Sequence, residues 1–205
     1  MLDWKKVAVT VIAGILVSAP GVSSGAKLFV PELEPWAIWE PFEESSKTMV
    51  DHAAWQSLLD KYLVSDLADG INRFDYAAVS DADSAALDAY LSGLAAIDTS
   101  ELARNEQQAY WINMYNALTV QVVLAHYPVK SIRKIYGGLF DTGPWDEPVI
   151  DVRGQALTLN DIEHRILRPI WRDPRIHYVV NCASIGCPNL ATRAYTGANV
   201  DELLD

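Results

Sequence analysis

One segment limits the architecture more than any other. From Arg104 to Tyr127 the chain reads RNEQQAYWINMYNALTVQVVLAHY. The run has helical spacing but is apolar around most of its circumference, so a helix here must be covered on nearly every side. Thr99 and Ser100 offer capping hydroxyls ahead of it, and Pro128 stops it. A central buried helix therefore organises the domain. Its polar residues become conspicuous: Asn113 and Asn116 lie three apart on one face, with Glu106, Gln107 and Gln108 about two turns earlier. Buried amides must find partners, so these residues either fasten neighbouring loops or point into a pocket.

The flanking segments supply the cover. Asp51 to Val64 carries Trp55, Leu58, Leu59, Tyr62 and Leu63 at helical spacing, and Asp81 to Leu94 repeats the pattern with Leu87, Tyr90, Leu91 and Leu94. Asp69 and Gly70 mark a turn before a short extended piece, Ile71 to Tyr76. The sequence GGLFDTGPW, beginning at Gly137, is a turn-rich loop. Pro148 to Val152 suits a strand and Gly154 with Gln155 a turn. Thr158 or Asn160 then caps a helix bearing Ile162, Ile166 and Leu167, which Asp173 and Pro174 break. Arg175 to Asn181, with Ile176, Val179 and Val180, has the densest strand signal and is expected inside a small sheet. Val200 to Leu204 reads as the first turn of a helix. Helices outnumber strands, so the expected class is α+β, a helix-rich single domain with a small sheet; an all-helical fold is the rival.

The chemistry-bearing residues gather after that expected strand. Asn181 to Cys187 reads NCASIGC and holds both cysteines of the chain, five positions apart. Three readings compete. In an oxidising compartment the two sulfurs join as a disulfide, and loop-closure arithmetic gives such a small ring about 2 kcal/mol before strain is subtracted. Alternatively Cys182, at a strand end, is a nucleophile with His177 or His164 as its base. His177 would lie roughly 16 Å away along a straight strand, whereas His164 comes from the preceding helix. Zinc is the third reading, but the spacing lacks the tight Cys pair of zinc knuckles. Elsewhere simpler roles suffice: His126 as a helix C-cap, His52 on the surface near a helix start, Asp161 and Glu163 in a first helical turn, and Asp173 with Arg175 as a local ion pair.

The beginning of the chain specifies an address. Lys5 and Lys6 precede an apolar run, Val7 to Val17, and then the small or turn-forming residues Pro20, Gly21, Ser23, Ser24, Gly25 and Ala26. This basic, apolar and small-residue order is that of a secretory signal peptide, and the run is too short for a bilayer span of about 20 residues. The expected organisation is a signal peptide over 1–25, a Pro, Trp and Glu rich extended arm over 26–50 that packs its aromatics onto the domain, and one domain over 51–205. The expected location is periplasmic or secreted, with membrane contact only during export. The net charge of −11 disfavours nucleic acid, and the densest basic group, Lys130, Arg133 and Lys134, is ordinary surface. No cofactor or metal is expected.

Three stretches, EQQAYWINMYNALTVQVVLAHYPVKSIRKI, LTLNDIEHRILRP and DPRIHYVVNCASIGCPNL, occur in this order. Together they resemble the landmark blocks of the family called domain of unknown function 547, over a span from about His52 to Asp205. The resemblance transfers a polar signature to Glu106, Asn113, Asn116, His164, His177, Cys182 and Cys187. It implies an exported bacterial protein of unestablished activity and a distant likeness to papain and transglutaminase folds, although no Cys opens the long helix here. It also implies further helices beyond Asp205, so the domain is expected to be incomplete at its C-terminal side. Two functional classes follow. One is a non-catalytic envelope or binding domain stapled by Cys182 and Cys187, whose partner is an envelope protein, a peptide or a small molecule. The other is an extracytoplasmic thiol-dependent hydrolase or transferase acting on peptide or amide bonds, with Cys182 as nucleophile, His164 or His177 as base and Asn113 in the site.

Overall fold

The computed structural model describes residues 35–136, 143–184 and 186–205. The expected signal peptide, the arm as far as residue 34 and residues 137–142 of the Gly and Trp rich loop lie outside them. From Ala53 to Tyr62 runs α1, which buries Trp55, Leu58, Leu59 and Tyr62, one stripe at the i, i+3, i+4, i+7 spacing. The chain leaves it directly into β1 (Leu63–Val64), which pairs antiparallel with β2 (Arg73–Phe74) in the register Leu63 to Phe74. Next comes α2 (Asp81–Ala95), where the Ser80 side chain accepts from the Asp83 backbone N–H at 3.1 Å and its hydroxyl donates to the Asp83 carboxylate at 2.9 Å. Leu87, Tyr90, Leu91 and Leu94 form its buried face.

The long helix α3 spans Arg104–Ala125, and every residue from Glu106 to Val120 is buried. That is the cover the sequence demands. Part of it comes from the N-terminal side: Trp39 is fully buried and meets Trp111 edge-on at 5.2 Å. The Gln107 amide donates to the carbonyls of Pro41 (2.8 Å) and Thr99 (3.1 Å), fixing this approach to the head of α3.

Beyond α3, β3 (Ile150–Val152) and β4 (Gln155–Leu157) form a second antiparallel hairpin. Its two-residue turn, Arg153 and Gly154, has φ of +54° and +75°, the left-handed conformation such turns require. Thr158 and Asp161 then make a reciprocal cap. Asp161 N–H donates to the Thr158 hydroxyl oxygen at 2.9 Å, and Thr158 N–H donates to the Asp161 carboxylate at 3.0 Å. The helix so started is wide-wound, a π-helix over Asp161–Leu167, before it tightens into α4 (Arg168–Trp171). Arg172, at φ +53°, ends it ahead of Asp173 and Pro174. The last element is α5 (Val200–Leu204), tied to the preceding segment through Arg175, whose guanidinium meets Asp173, Asp201 and Asp205.

The class is thus α+β and helix-rich, but one element differs from expectation. The segment expected as the strand Arg175 to Asn181 is instead a 3-10 helix over Pro174–Tyr178 followed by a turn. Pro174 favours a helical first turn, and the Asp173 carboxylate accepts from the Arg175 N–H at 2.8 Å to cap it. The burial pattern agrees: Ile176, Val179 and Val180 are inside while His177 and Tyr178 are exposed, a period of three to four rather than two. No central sheet results, and the strands among the described residues are the two hairpins. Among those residues no helix is long and apolar enough to cross a membrane.

Candidate functional site

The polar face of α3 is spent on backbone. Asn116, 2 % exposed, accepts from the Asn181 N–H at 2.8 Å and donates to the Val179 carbonyl at 2.9 Å. Asn113, fully buried, does the same for Tyr195, accepting from its N–H at 3.0 Å and donating to its carbonyl at 2.7 Å. Glu106 receives the backbone N–H groups of Val50 (2.8 Å) and Gly197 (2.7 Å), one on each carboxylate oxygen. Three side chains of one helix therefore hold three otherwise separate loop segments, at Val50, at Val179 to Asn181 and at Tyr195 to Gly197. An amide suits this work because it both donates and accepts, and so pairs with an N–H and a C=O from adjacent peptide units at once.

The Val179 to Asn181 segment leads into the cysteines. Cys182 and Cys187 stand at disulfide-bonding distance with Cα atoms 6.0 Å apart. Asn181 organises the loop between them. Its side chain accepts from the Ala183 N–H at 2.9 Å and donates to the Pro188 carbonyl at 2.6 Å, holding both ends of the turn. Ala183 has φ of +54°, a conformation that costs a residue with a Cβ roughly 1–2 kcal/mol, so the turn is held against local preference. Asn189 then ties the loop to the first hairpin, accepting from Asn72 N–H at 2.9 Å and donating to the Gly70 carbonyl at 2.8 Å.

Between that loop and the first hairpin lies a cleft of about 280 Å³. Its lining combines apolar Leu63, Phe74 and Tyr76 with Asn181, Ser184 and the cationic Arg73. Apolar surface with a few amide and hydroxyl groups is the usual make-up of a small-ligand site. The sequence offers Asn181 and Asn189 only as neighbours of cysteine; their bracing role depends on the turn geometry.

The two histidines belong to a different group. Arg168 Nη1 lies 3.5 Å from His164 Nδ1, and Arg168 Nη2 lies 3.3 Å from His177 Nδ1. The Nε side of the same guanidinium faces the Glu163 carboxylate at 3.6 Å. Glu163 in turn reaches the Tyr115 phenol of α3, whose pKa is pushed upward by burial first and by the Glu163 charge and hydrogen bond second. Among the described residues no hydrogen bond joins either imidazole to Cys182. Of the group expected around that sulfur, Asn116 reaches the segment leading into it, Asn113 is committed to Tyr195, and both histidines are committed to Arg168.

His52, expected on the surface, is buried at 5 % exposure, with Nδ1 2.6 Å from the Tyr90 hydroxyl. The reason is its place at the head of α1, where the helix meets α2 and the ring packs edge-on against Tyr90. Desolvation lowers its pKa to about 4, against the smaller opposing pull of Asp51. His126 is the C-cap residue of α3, with Nδ1 2.8 Å from the Val122 carbonyl.

Residues 99–205 match the family model described as "Protein of unknown function, DUF547". The match begins just ahead of α3 and includes the cysteine loop, the histidine cluster and α5. No curated protein and no solved structure matches the chain.

Proposed function

The chain belongs to the DUF547 family, and from that premise we propose that it is an exported, non-catalytic binding domain whose ligand cleft is shaped by a Cys182–Cys187 staple. One observation carries the reading: Cys182 and Cys187 stand at disulfide-bonding distance in the loop that lines the cleft, and a bond between them would consume the thiolate an enzyme needs in holding the shape of a site. The cleft's apolar and amide-bearing lining suits a short peptide or a small molecule with one apolar group. The basic, apolar and small-residue order of the first 26 residues supports export, and an oxidising compartment is where such a staple persists.

Two experiments test the proposal. N-terminal sequencing of exported protein is expected to begin between Ser24 and Leu28; an intact Met1 would contradict cleavage. Cys182→Ser and Cys187→Ser are expected to lower the unfolding midpoint equally, since each removes the same cross-link. If Cys182→Ser leaves the midpoint unchanged and abolishes labelling by an electrophilic thiol probe, while Cys187→Ser retains that labelling, Cys182 is a nucleophile and the thiol-dependent hydrolase or transferase replaces the binding domain.

A further inference from the structure

We infer that the cleft beside the cysteine loop takes up a short peptide in extended conformation, as an added strand on the outer edge of β2; the inference rests on the reading of that cleft as a binding site. The register of the first hairpin fixes where that edge points. Leu63 N–H is spent on the Leu59 carbonyl at the end of α1, and Asp75 N–H donates to the Tyr62 carbonyl at 2.8 Å. Leu63 and Phe74 are therefore a non-hydrogen-bonded pair of the antiparallel ladder, and the N–H and C=O of Phe74 face away from β1.

The residue two places earlier shows what lies on that side. Asn72 shares the outer edge with Phe74, and its N–H meets the cysteine loop, where the Asn189 side chain accepts it at 2.9 Å. The Asn72 amide also donates to the Leu190 carbonyl at 2.8 Å, so hairpin and loop are joined at this end of the edge. One step further along, Phe74 lines the cleft, and Asn181, Ala183 and Ser184 of the loop line it too. Among the described residues no loop or side-chain hydrogen bond meets the N–H or the C=O of Phe74. An unpaired donor and acceptor on an edge strand are the groups that pair with another chain.

These groups define the occupant. In an antiparallel strand a single residue supplies both partners, its N–H to the Phe74 carbonyl and its C=O to the Phe74 N–H. That requires little length, and the cleft, at about 280 Å³, is at the small end of ligand sites. The side chain of the paired residue falls on the same face of the sheet as Leu63 and Phe74, where the ring of Tyr76 packs 5.0 Å from that of Phe74. It is therefore apolar. Arg73 is matched by Asp69, and among the described residues no carboxylate lines the cleft, so the segment needs no charge of its own. Main-chain bonds supply the affinity and one apolar side chain the preference, the division found wherever a peptide extends a sheet.

The test uses the folded, oxidised, isotopically labelled protein and the capped peptide acetyl-Thr-Leu-Thr-amide, with backbone amide resonances followed by NMR. Saturable shifts at the cleft residues are expected, and the Phe74 amide proton should move downfield as it gains a carbonyl partner. Methylating the leucine nitrogen of the peptide removes the paired donor and should weaken binding about tenfold or more. Replacing that leucine by glycine should weaken it as well. Isocaproamide, which carries the same side chain and an amide but no strand, should bind more weakly than the peptide. A methylated peptide as tight as its parent, isocaproamide that matches the peptide, or a bound peptide that leaves the Phe74 amide unmoved would each overturn the added strand while leaving the cleft a binding site. No shift at the cleft residues from any of these probes at up to about 10 mM would contradict both the strand and the cleft.

Discussion

The polar face of α3 and the cluster around Arg168 use similar residues to opposite effect. On α3 the polar groups of Glu106, Asn113 and Asn116 are buried and matched to backbone partners. Around Arg168, half-exposed and exposed side chains are matched to one another and still present donors to solvent. A buried polar group matched to backbone partners is a fastener, because leaving either partner unpaired costs about 1–3 kcal/mol. An exposed cluster contributes little to stability. The two groups differ in burial and in the partners they hold.

The largest effect should come from breaking a fastener. Asn116→Ala strands the Val179 carbonyl and the Asn181 N–H together, and about 2–4 kcal/mol of stability should be lost in urea denaturation. A loss below about 1 kcal/mol would mean that water replaces the amide and that the contrast with the surface cluster is overstated.

A somewhat smaller effect should appear on acidification. His52 has a folded-state pKa of about 4, below its ordinary value of 6.5, so between those values the unfolded chain binds more protons than the folded one. Stability is then complete above pH 6.5 and declines as the pH falls towards 4, by up to about 3 kcal/mol from this residue. His52→Phe should flatten that limb of the stability profile. An unchanged acid limb in the variant would show that another group carries it.

Reduction of the Cys182–Cys187 bond should cost less again, about 2 kcal/mol for so short a ring, and should reproduce the loss seen in either serine variant. The smallest effect belongs to Arg168→Gln, within about 1 kcal/mol, because the guanidinium is largely solvated and its Glu163 contact is long at 3.6 Å. A loss approaching that of Asn116→Ala would make Arg168 a fastener too and erase the distinction.

Much of the fold can be read along the chain where burial has a simple period. The long helix, the two helices before it and the Thr158 start signal follow from spacing and capping chemistry, and the amides of α3 stand out because most of that run is apolar. Ile176, Val179 and Val180 satisfy a strand reading and a helical one alike, and the local signal of Pro174 with its Asp173 cap decides for the 3-10 helix. The rest of what cannot be read is set by contacts distant in sequence. His52 gives no sign of burial until α2 delivers Tyr90. The pairing of His164 with His177 depends on Arg168, which as a single residue looks like ordinary helix surface. Asn181 and Asn189 acquire their bracing roles only once the cysteine loop turns back towards the first hairpin.

The central claim is that Cys182 and Cys187 shape a binding cleft and perform no chemistry. Counting thiols by intact mass tests it most directly: mature protein, never exposed to reductant, is treated with excess iodoacetamide first when folded and then in denaturant. The account predicts no adduct in either state and two adducts after reduction. A single adduct on the folded protein, mapped to Cys182, would contradict it.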